Sequence, residues 1–151
     1  MKIFSPQTDH DWQAYFDLRW QLLRAPWHQP RGSEQDEWEQ QAYHVMVQTE
    51  NGHAVGVGRI HRINAREWQI RYMAVDETHR GEGIGAMILG QLENHAQSQG
   101  ASRICLNARE SAIAFYLRFH YRICGDAPTL FGVIKHQRMQ KILHNSGYQS
   151  A

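Results

Sequence analysis

Residues 79–87 read HRGEGIGAM, in which three glycines at alternate positions follow an arginine. The stretch separates a β-rich run that ends at Val75 from an amphipathic run that begins at Ile84. Glycines let a backbone approach an anion closely, and a helix N-terminus offers unpaired N–H groups and the positive end of the helix dipole. The stretch therefore predicts a phosphate-binding turn, and the question is which phosphate-bearing molecule it binds.

Two common phosphate-binding patterns fit this stretch poorly. A P-loop requires GxxxxGK followed by serine or threonine, whereas Gly85 is followed by alanine and methionine. The dinucleotide fingerprint GxGxxG/A does match residues 81–86, but its first glycine should follow the strand almost directly. Here the five residues DETHR intervene, and the strand ending at Asn107 lacks the acidic residue that would bind a ribose. A nicotinamide-dependent oxidoreductase is therefore the weaker interpretation.

The composition predicts one globular domain over residues 1–151, with 42% hydrophobic and 21% charged residues. Sixteen Lys and Arg nearly balance fifteen Asp and Glu, so no basic excess indicates a nucleic-acid partner. No apolar run reaches the length of a membrane span, and the polar sequence after the first four residues is unlike a signal peptide. We expect a cytoplasmic protein without a nucleic-acid or membrane partner.

Histidines and cysteines do not form a metal-binding pattern in this sequence. The ten histidines are scattered singly, without the i, i+4 helical spacing of a zinc motif, and no CxxC is nearby. Cys105 and Cys124 lie in separate apolar runs, and we expect both to be buried free thiols. The sequence predicts no metal site.

Hydrophobic periodicity predicts both helices and strands before the glycine stretch. A helical apolar stripe runs over residues 9–24, with Asp9 or Asp11 as its N-cap. A loop follows, and Ser33 is expected to cap a short polar helix. Period-two runs then predict a hairpin with an Asn-Gly turn and a third antiparallel strand over residues 67–75.

After the glycine stretch the pattern alternates between helix and strand. A helix is predicted from Ile84 to Gly100, then a strand over 102–107. A short helix capped by Ser111 follows, and two strands close the domain. This order predicts one mixed α/β layer with helices packed on it.

The glycine stretch also satisfies a third pattern, Arg-x-x-Gly-x-Gly/Ala, through Arg80, Gly83 and Gly85. At this point the sequence resembles the GCN5-related N-acetyltransferases (the GNAT family), which carry this signature between a central strand and a helix. SAIAFYLRFHY at 111–121 is similar to the family's later motif, AxxFYxxxGF. The order and length of the predicted elements agree with the family over residues 2–143.

The segment LRWQLLRAPWHQPRGSE, residues 18–34, resembles a bacterial small-molecule-type branch of the family. It is similar to the acetyltransferase domain that some bacterial proteins carry fused to a thioesterase-like domain. The resemblance implies an α/β (α+β) fold, with a mixed, mostly antiparallel sheet splayed at the acyl-CoA site and helices on both faces.

The resemblance also implies an activity. Acetyl-CoA would be the co-substrate, no metal would be needed, and the acetyl group would pass by direct attack to a primary amine of a small molecule or peptide. A homodimer is compatible with the family. The alternative of a different class is a non-catalytic acyl-CoA-binding regulatory or sensor module.

The resemblance places the cofactor-binding residues in three segments. The main chain of Met73, Ala74 and Val75 is expected to pair with the pantetheine arm, and an amide there to polarise the thioester carbonyl. Asn107 is expected to hydrogen-bond the pantetheine. The pyrophosphate is expected on the backbone amides of the loop and helix start: Arg80, Gly81, Glu82, Gly83, Ile84, Gly85 and Ala86.

Tyr116 matches the tyrosine of the FYxxxGF motif and is expected to protonate the departing CoA thiolate. Arg118 is placed to reach the ribose phosphate, although a solvated helix arginine explains it better. His120 stands where the motif has glycine, so this turn lacks glycine's conformational freedom there.

The base that deprotonates the amine is not identified by the pattern. Glu67, His61 and His136 are candidates, and each is better explained as a structural or surface residue. The acceptor is predicted to be a small cationic amine, held by aromatic faces and carboxylates after the first helix. An exposed acidic helix fits the same residues: Trp27, Glu34, Asp36, Glu37, Trp38 and Glu39.

Overall fold

The computed structural model describes residues 1–144, which fall into two compact units. Among these residues, unit 1 contains Met1–His61 and Ile70–His95, and unit 2 contains Arg62–Gln69 and residues 96–144. Whether the chain is one domain over 1–151 stays a prediction.

The described residues contain seven strands and three α-helices. The strands are β1 (Lys2–Phe4), β2 (Tyr43–Gln48), β3 (Ala54–Arg62), β4 (Glu67–Val75), β5 (Arg103–Arg109), β6 (Arg122–Leu130) and β7 (Ile134–Ile142). The helices are α1 (Asp9–Leu23), α2 (Ile84–Ser98) and α3 (Ile113–Arg118). The strand order is β1-β2-β3-β4-β5-β7-β6, in which β4 and β5 are parallel and the registers of β1–β2, β2–β3, β5–β7 and β6–β7 are antiparallel. The predicted mixed, mostly antiparallel sheet is confirmed.

In unit 1, the N-cap of helix α1 differs from the two residues that the sequence predicts. Thr8 is the N-cap: its hydroxyl accepts the Asp11 N–H at 3.0 Å, and the Asp11 carboxylate accepts the Thr8 N–H at 3.2 Å. This reciprocal capping box makes the predicted caps, Asp9 or Asp11, wrong, because Asp11 is the third helical residue. The helix buries Tyr15 and Leu18 in the core of the unit.

Helix α2 packs closely on β3 because two glycines in VGVG leave room for it. A Cβ at Gly56 would lie 2.8 Å from Ile84 Cγ2, and one at Gly58 would lie 2.5 Å from Ile88 Cγ2. Both distances are shorter than side chains tolerate, so these glycines fix how near the start of α2 approaches the sheet.

In unit 2, β4 and β5 pair in parallel over a short register, from Glu67↔Arg103 to Gln69↔Cys105. Both strands extend beyond this register. Helix α3 follows a 3-10 turn at Glu110–Ala112, and Ala112 is its N-cap without a side-chain hydrogen bond. The predicted cap, Ser111, is therefore wrong, because the turn before the helix occupies that residue.

The two cysteines differ in environment. Cys105 on β5 is buried, and burial followed by the nearby Glu67 carboxylate raises the pKa of its thiol to about 11. Cys124 is exposed, which contradicts the prediction, because β6 is the last strand in the sheet order and its first residues face solvent. No helix among residues 1–144 is long and apolar enough to cross a membrane.

Candidate functional site

The glycine stretch forms an open loop at the start of α2 in unit 1. Gly81 and Gly83 have φ angles of 83° and 81°, values that side-chain-bearing residues adopt only with strain. No heavy atom lies within 4 Å of the position where either glycine would carry a Cβ. Arg80 and Glu82 are also exposed, so the backbone of this loop is open to an approaching anion.

The helix that follows presents amide groups to the same loop. The N–H of Met87 donates to the Gly83 carbonyl at 3.1 Å and begins the helical series. The amides of Ile84, Gly85 and Ala86 precede it, so they have no acceptor within the helix. Open glycine backbone and a helix N-terminus together fit a pyrophosphate.

The end of β4, directly before this loop, contains an irregularity that the sequence did not indicate. Tyr72 is buried yet has a φ of 56°, a conformation that is rare for an aromatic residue. It lies within β4, directly before Met73, Ala74 and Val75, which are partly exposed. No glycine or asparagine marks the position, so no sequence signal could have found it.

Four guanidinium groups surround the Tyr72 ring. Their carbon atoms lie 4.3 Å (Arg19), 5.3 Å (Arg24), 5.0 Å (Arg59) and 4.6 Å (Arg71) from the ring centroid. These distances are within the range of cation–π attraction. The contacts favour this placement of the Tyr72 ring.

Three of these arginines belong to a charge cluster, which we define as Arg19, Arg59, Arg71, Asp36 and Glu39. Arg19 and Arg59 are fully buried. Arg59 donates to both Asp36 carboxylate oxygens at 2.6 and 3.1 Å, and to Glu39 Oε2 at 3.0 Å. Arg19 donates to the same Glu39 oxygen at 2.8 Å, and Arg71 donates to Asp36 Oδ2 at 2.9 Å. The cluster ties α1, the loop after it, β3 and β4 together.

These contacts contradict both predictions for the acidic segment, a set of carboxylates that binds a cationic amine and an exposed acidic helix. No helix begins at Ser33; residues 31–38 form turns, and a 3-10 turn covers Glu39–Gln41. The Glu34 carboxylate accepts the Gly32 N–H at 2.7 Å and the Gln35 amide at 3.1 Å. Asp36 and Glu39 bind arginines of the charge cluster, and Glu37 alone of the four is exposed. The segment is neither an exposed acidic helix nor a set of carboxylates available to a cation.

Asp36 stays ionised in this environment. Burial opposes its charge, but hydrogen bonds from the Arg59 guanidinium and the Trp38 N–H, together with the Arg59 and Arg71 charges, lower its pKa to about 2. His44 is buried behind the cluster and its pKa is lowered, chiefly by burial. Its Nε2 donates to the Glu39 carbonyl at 2.7 Å, so its Nδ1 accepts from the Tyr15 hydroxyl at 2.8 Å.

Two of the candidate bases contact arginine side chains. His61 is buried, its Nδ1 lies 3.2 Å from Arg59 Nη2, and burial followed by the Arg59 charge lowers its pKa to about 4. Glu67, in unit 2, pairs with Arg103 at 3.3 Å and with Arg138 at 3.4 Å. Both side chains serve structural contacts. The third candidate, His136, donates from Nδ1 to the Ile134 carbonyl at 2.9 Å, and the base stays unassigned.

The pKa of His61 predicts a pH-dependent stability. An unfolded histidine binds a proton near 6.5, whereas folded His61 does so only near 4, so the unfolded state holds more protons between these values. The free energy of unfolding should therefore fall as the pH decreases from about 7 to about 4. His61→Gln keeps an acceptor for Arg59 and should flatten this dependence, measured by urea unfolding at several pH values.

The control for this experiment is His53→Gln, at an exposed histidine in the β2–β3 turn. It should retain the wild-type pH dependence. An unchanged pH dependence in the His61 variant would contradict the assignment of the effect to His61.

Unit 2 carries Tyr116 and Asn107. Tyr116, on α3, is 7% exposed, and its ring lies edge-on to those of Phe115 and Tyr121 at 5.1 and 5.6 Å. Burial raises the pKa of Tyr116, so its hydroxyl stays protonated at neutral pH. Asn107 is exposed on β5, opposite Arg138 in β7.

The turn after α3 keeps a left-handed geometry without glycine. His120 has a φ of 72°, and the N–H of Tyr121 donates to the Tyr116 carbonyl at 3.2 Å. The replacement of the motif's glycine by histidine thus leaves the turn in place, at a cost of about 1 kcal/mol in strain. Arg118 is exposed on α3.

The residues 1–144 contain no group of three or more His, Cys, Asp or Glu side chains placed to hold a metal ion.

The sequence profile of the acetyltransferase (GNAT) family matches residues 12–121 of this chain. The chain belongs to the acetyltransferase (GNAT) family. The resemblance noted in the sequence is confirmed, and so are the GNAT fold and an acyl-CoA-dependent acetyltransferase activity that uses acetyl-CoA.

Individual relatives of this GNAT protein agree with the profile. An uncharacterized N-acetyltransferase of Bacillus subtilis (strain 168), YjcF, is 29% identical over 141 residues, covering 93% of this chain and 99% of the relative. The crystal structure of an aminoglycoside 6'-N-acetyltransferase complexed with coenzyme A has a TM-score of 0.80 at 17% identity, over 96% of this chain and 98% of the other. Escherichia coli ElaA has a TM-score of 0.77 at 16% identity, over 93% and 97%. At these identities the two structures support the fold.

Proposed function

We propose that this GNAT protein transfers the acetyl group of acetyl-CoA directly to a primary amine of a small molecule or peptide, with Tyr116 as the general acid. The observation that carries the proposal is the open loop at Gly81 and Gly83, where two positive φ angles and empty surroundings precede the first amides of α2. The solved relative bound to coenzyme A supports the same ligand.

In this proposal the residues of unit 1 bind the donor. The pyrophosphate accepts hydrogen bonds from the backbone amides of residues 80–86, and the dipole of α2 adds to the attraction. The main chain of Met73, Ala74 and Val75 pairs with the pantetheine arm, as an added strand would. An amide of Met73 or Val75 polarises the thioester carbonyl. In unit 2, Asn107 hydrogen-bonds the pantetheine.

The chemical step then needs two proton transfers. The neutral amine attacks the thioester carbon and forms a C–N bond, and collapse of the tetrahedral intermediate breaks the C–S bond. The thiolate takes a proton from the Tyr116 hydroxyl, which is protonated at neutral pH because burial raises its pKa, and the phenolate left behind regains a proton from water. The proton lost by the amine passes to solvent through water, since His61 and Glu67 are held by arginines.

The test of this function is release of CoA thiol from acetyl-CoA in the presence of a panel of primary amines. We expect thiol release above the amine-free rate with at least one amine, and the matching N-acetyl product. Binding of acetyl-CoA without product from any amine would favour the sensor module. A thermal shift with NADH but none with acetyl-CoA would favour the oxidoreductase.

Gly83→Ala should weaken the binding of acetyl-CoA at least tenfold. An alanine at φ 81° strains the loop by about 1–2 kcal/mol and adds a methyl group where the pyrophosphate would approach. Binding is measured by calorimetry. Gly52→Ala is the control, because Gly52 has a φ of 83° with the same open surroundings but lies in the β2–β3 turn. An equal loss of acetyl-CoA affinity in both variants would show that backbone strain alone causes the effect.

A further inference from the structure

We propose that the acceptor of this enzyme carries an anionic group beside its amine, and that Arg71 binds that group. The inference rests on the proposed function and names the class of acceptor. It replaces the cationic amine that the acidic segment suggested, because buried arginines bind Asp36 and Glu39. The Glu34 carboxylate is likewise engaged, by the Gly32 N–H and the Gln35 amide.

The first step is the charge balance of the charge cluster. Its three guanidinium groups face two carboxylates, Asp36 and Glu39. The lowered pKa values of His44 and His61 keep both imidazoles neutral, so they add no charge at neutral pH. The cluster therefore has one positive charge in excess.

The second step locates that excess on Arg71. Asp36 already receives hydrogen bonds on both oxygens from Arg59, which is fully buried. Arg71 is a second cation on this carboxylate, bound through a single hydrogen bond to Oδ2. Its side chain is 44% exposed, whereas those of Arg19 and Arg59 are 0% exposed. The uncompensated charge thus lies at the surface.

The third step concerns position in unit 1. Arg71 lies on β4, two residues before Met73, where the strand is proposed to meet the thioester end of the donor. Asp36, its partner, lies in the segment after α1. An anion bound by Arg71 would hold a short acceptor close to the strand segment that receives the acetyl donor. A guanidinium suits this task because its planar donors match carboxylate and phosphate oxygens.

A neighbouring aromatic side chain extends the same surface. Trp38 is 42% exposed, its backbone N–H donates to Asp36 Oδ1 at 2.9 Å, and its ring stacks on His61 at 5.2 Å. Asp36 thus contacts both the Arg71 guanidinium and the backbone of the residue that carries the exposed indole. The pair suits a ligand with an anionic group and an apolar part.

The test compares acceptors that differ only in the anion. L-phenylalanine is paired with 2-phenylethylamine, and O-phosphoethanolamine with ethanolamine, in the CoA thiol-release assay. We expect kcat/KM to be about 10- to 100-fold higher for the anionic member of at least one pair, as loss of a charged hydrogen bond predicts. The two pairs distinguish a carboxylate from a phosphate.

Arg71→Gln should abolish this preference by raising KM for the anionic amine, with little change for its neutral partner. Comparing ratios between wild type and variant cancels the different basicities of the amines. Arg66→Gln, at an exposed arginine in the β3–β4 turn, is the matched control and should keep the preference.

The outcomes separate this inference from the function on which it rests. Acetylation of the members of each pair with equal kcat/KM, or an equal loss for both members in Arg71→Gln, would overturn the inference alone. Absence of thiol release with every amine, despite binding of acetyl-CoA, would overturn the proposed function and the inference with it.

Discussion

Tyr116→Phe should lower kcat by about 10²- to 10⁴-fold, the range that a positioned general acid contributes. Without the phenolic proton, the CoA thiolate must leave unprotonated or be protonated by water, and both routes are slower. The affinity for acetyl-CoA should change by less than about twofold, because the proposed binding contacts come from backbone amides elsewhere. Single-turnover kinetics and calorimetry measure the two quantities.

The control is Tyr121→Phe, which removes the same hydroxyl from the ring that lies edge-on to Tyr116. Tyr121 is 1% exposed, so this variant also removes a buried hydroxyl. It should retain kcat to within a few-fold. Equal rates in Tyr116→Phe and wild type would remove Tyr116 from its role, and equal losses in both variants would indicate a packing effect.

The raised pKa of Tyr116 also predicts how kcat depends on pH. Because burial raises the pKa of this phenol, it does not ionise between about pH 6 and 9. Any change of kcat in that range must come from the amine or another group. The same pH profile, at a lower rate, is therefore expected for Tyr116→Phe.

Glu39→Gln should lower the free energy of unfolding by about 3–5 kcal/mol, the cost of leaving buried charge without its partner. Glu39 Oε2 accepts from both Arg19 and Arg59, and both arginines are fully buried. With the carboxylate removed, Asp36 would be the one anion left in the charge cluster. Urea unfolding at neutral pH measures the loss.

Glu37→Gln is the matched control, because it makes the same chemical change two residues away at an exposed side chain. It should alter the free energy of unfolding by no more than about 0.5 kcal/mol. Similar values for the two variants would show that Glu39 does not balance the buried arginines.

Elements with strong local periodicity could be predicted from the sequence. The bounds of β4, residues 67–75, were predicted as found, because alternation and β-branched or aromatic residues fix a strand locally. The glycine loop and the start of α2 could also be predicted, because both depend on residue types that are close together in the chain. β1 was not predicted, because a three-residue strand has too short a pattern.

The features that could not be predicted depend on distant partners. Arg19 lies on α1 and Arg59 on β3, and nothing local indicates that either is buried; their burial requires Asp36 and Glu39 from a third segment. The ring of Tyr72 likewise packs against Arg19 and Arg59, which are distant in the chain. The N-caps Thr8 and Ala112 were missed. At Thr8 several nearby polar residues fit the same capping rule, and Ala112 has no side chain that could cap.

The two glycines of β3 restrict which substitutions the strand and the facing helix α2 can accept. A methyl group at Gly58 would lie 2.5 Å from Ile88, and one at Gly56 would lie 2.8 Å from Ile84. A larger residue on the strand is therefore compatible with this geometry only if the facing helix residue becomes smaller. Ile88 also lies 2.9 Å from the Cβ position of Gly56, so the two glycines share this neighbour. Gly56, Gly58, Ile84 and Ile88 are therefore expected to change together during divergence or design.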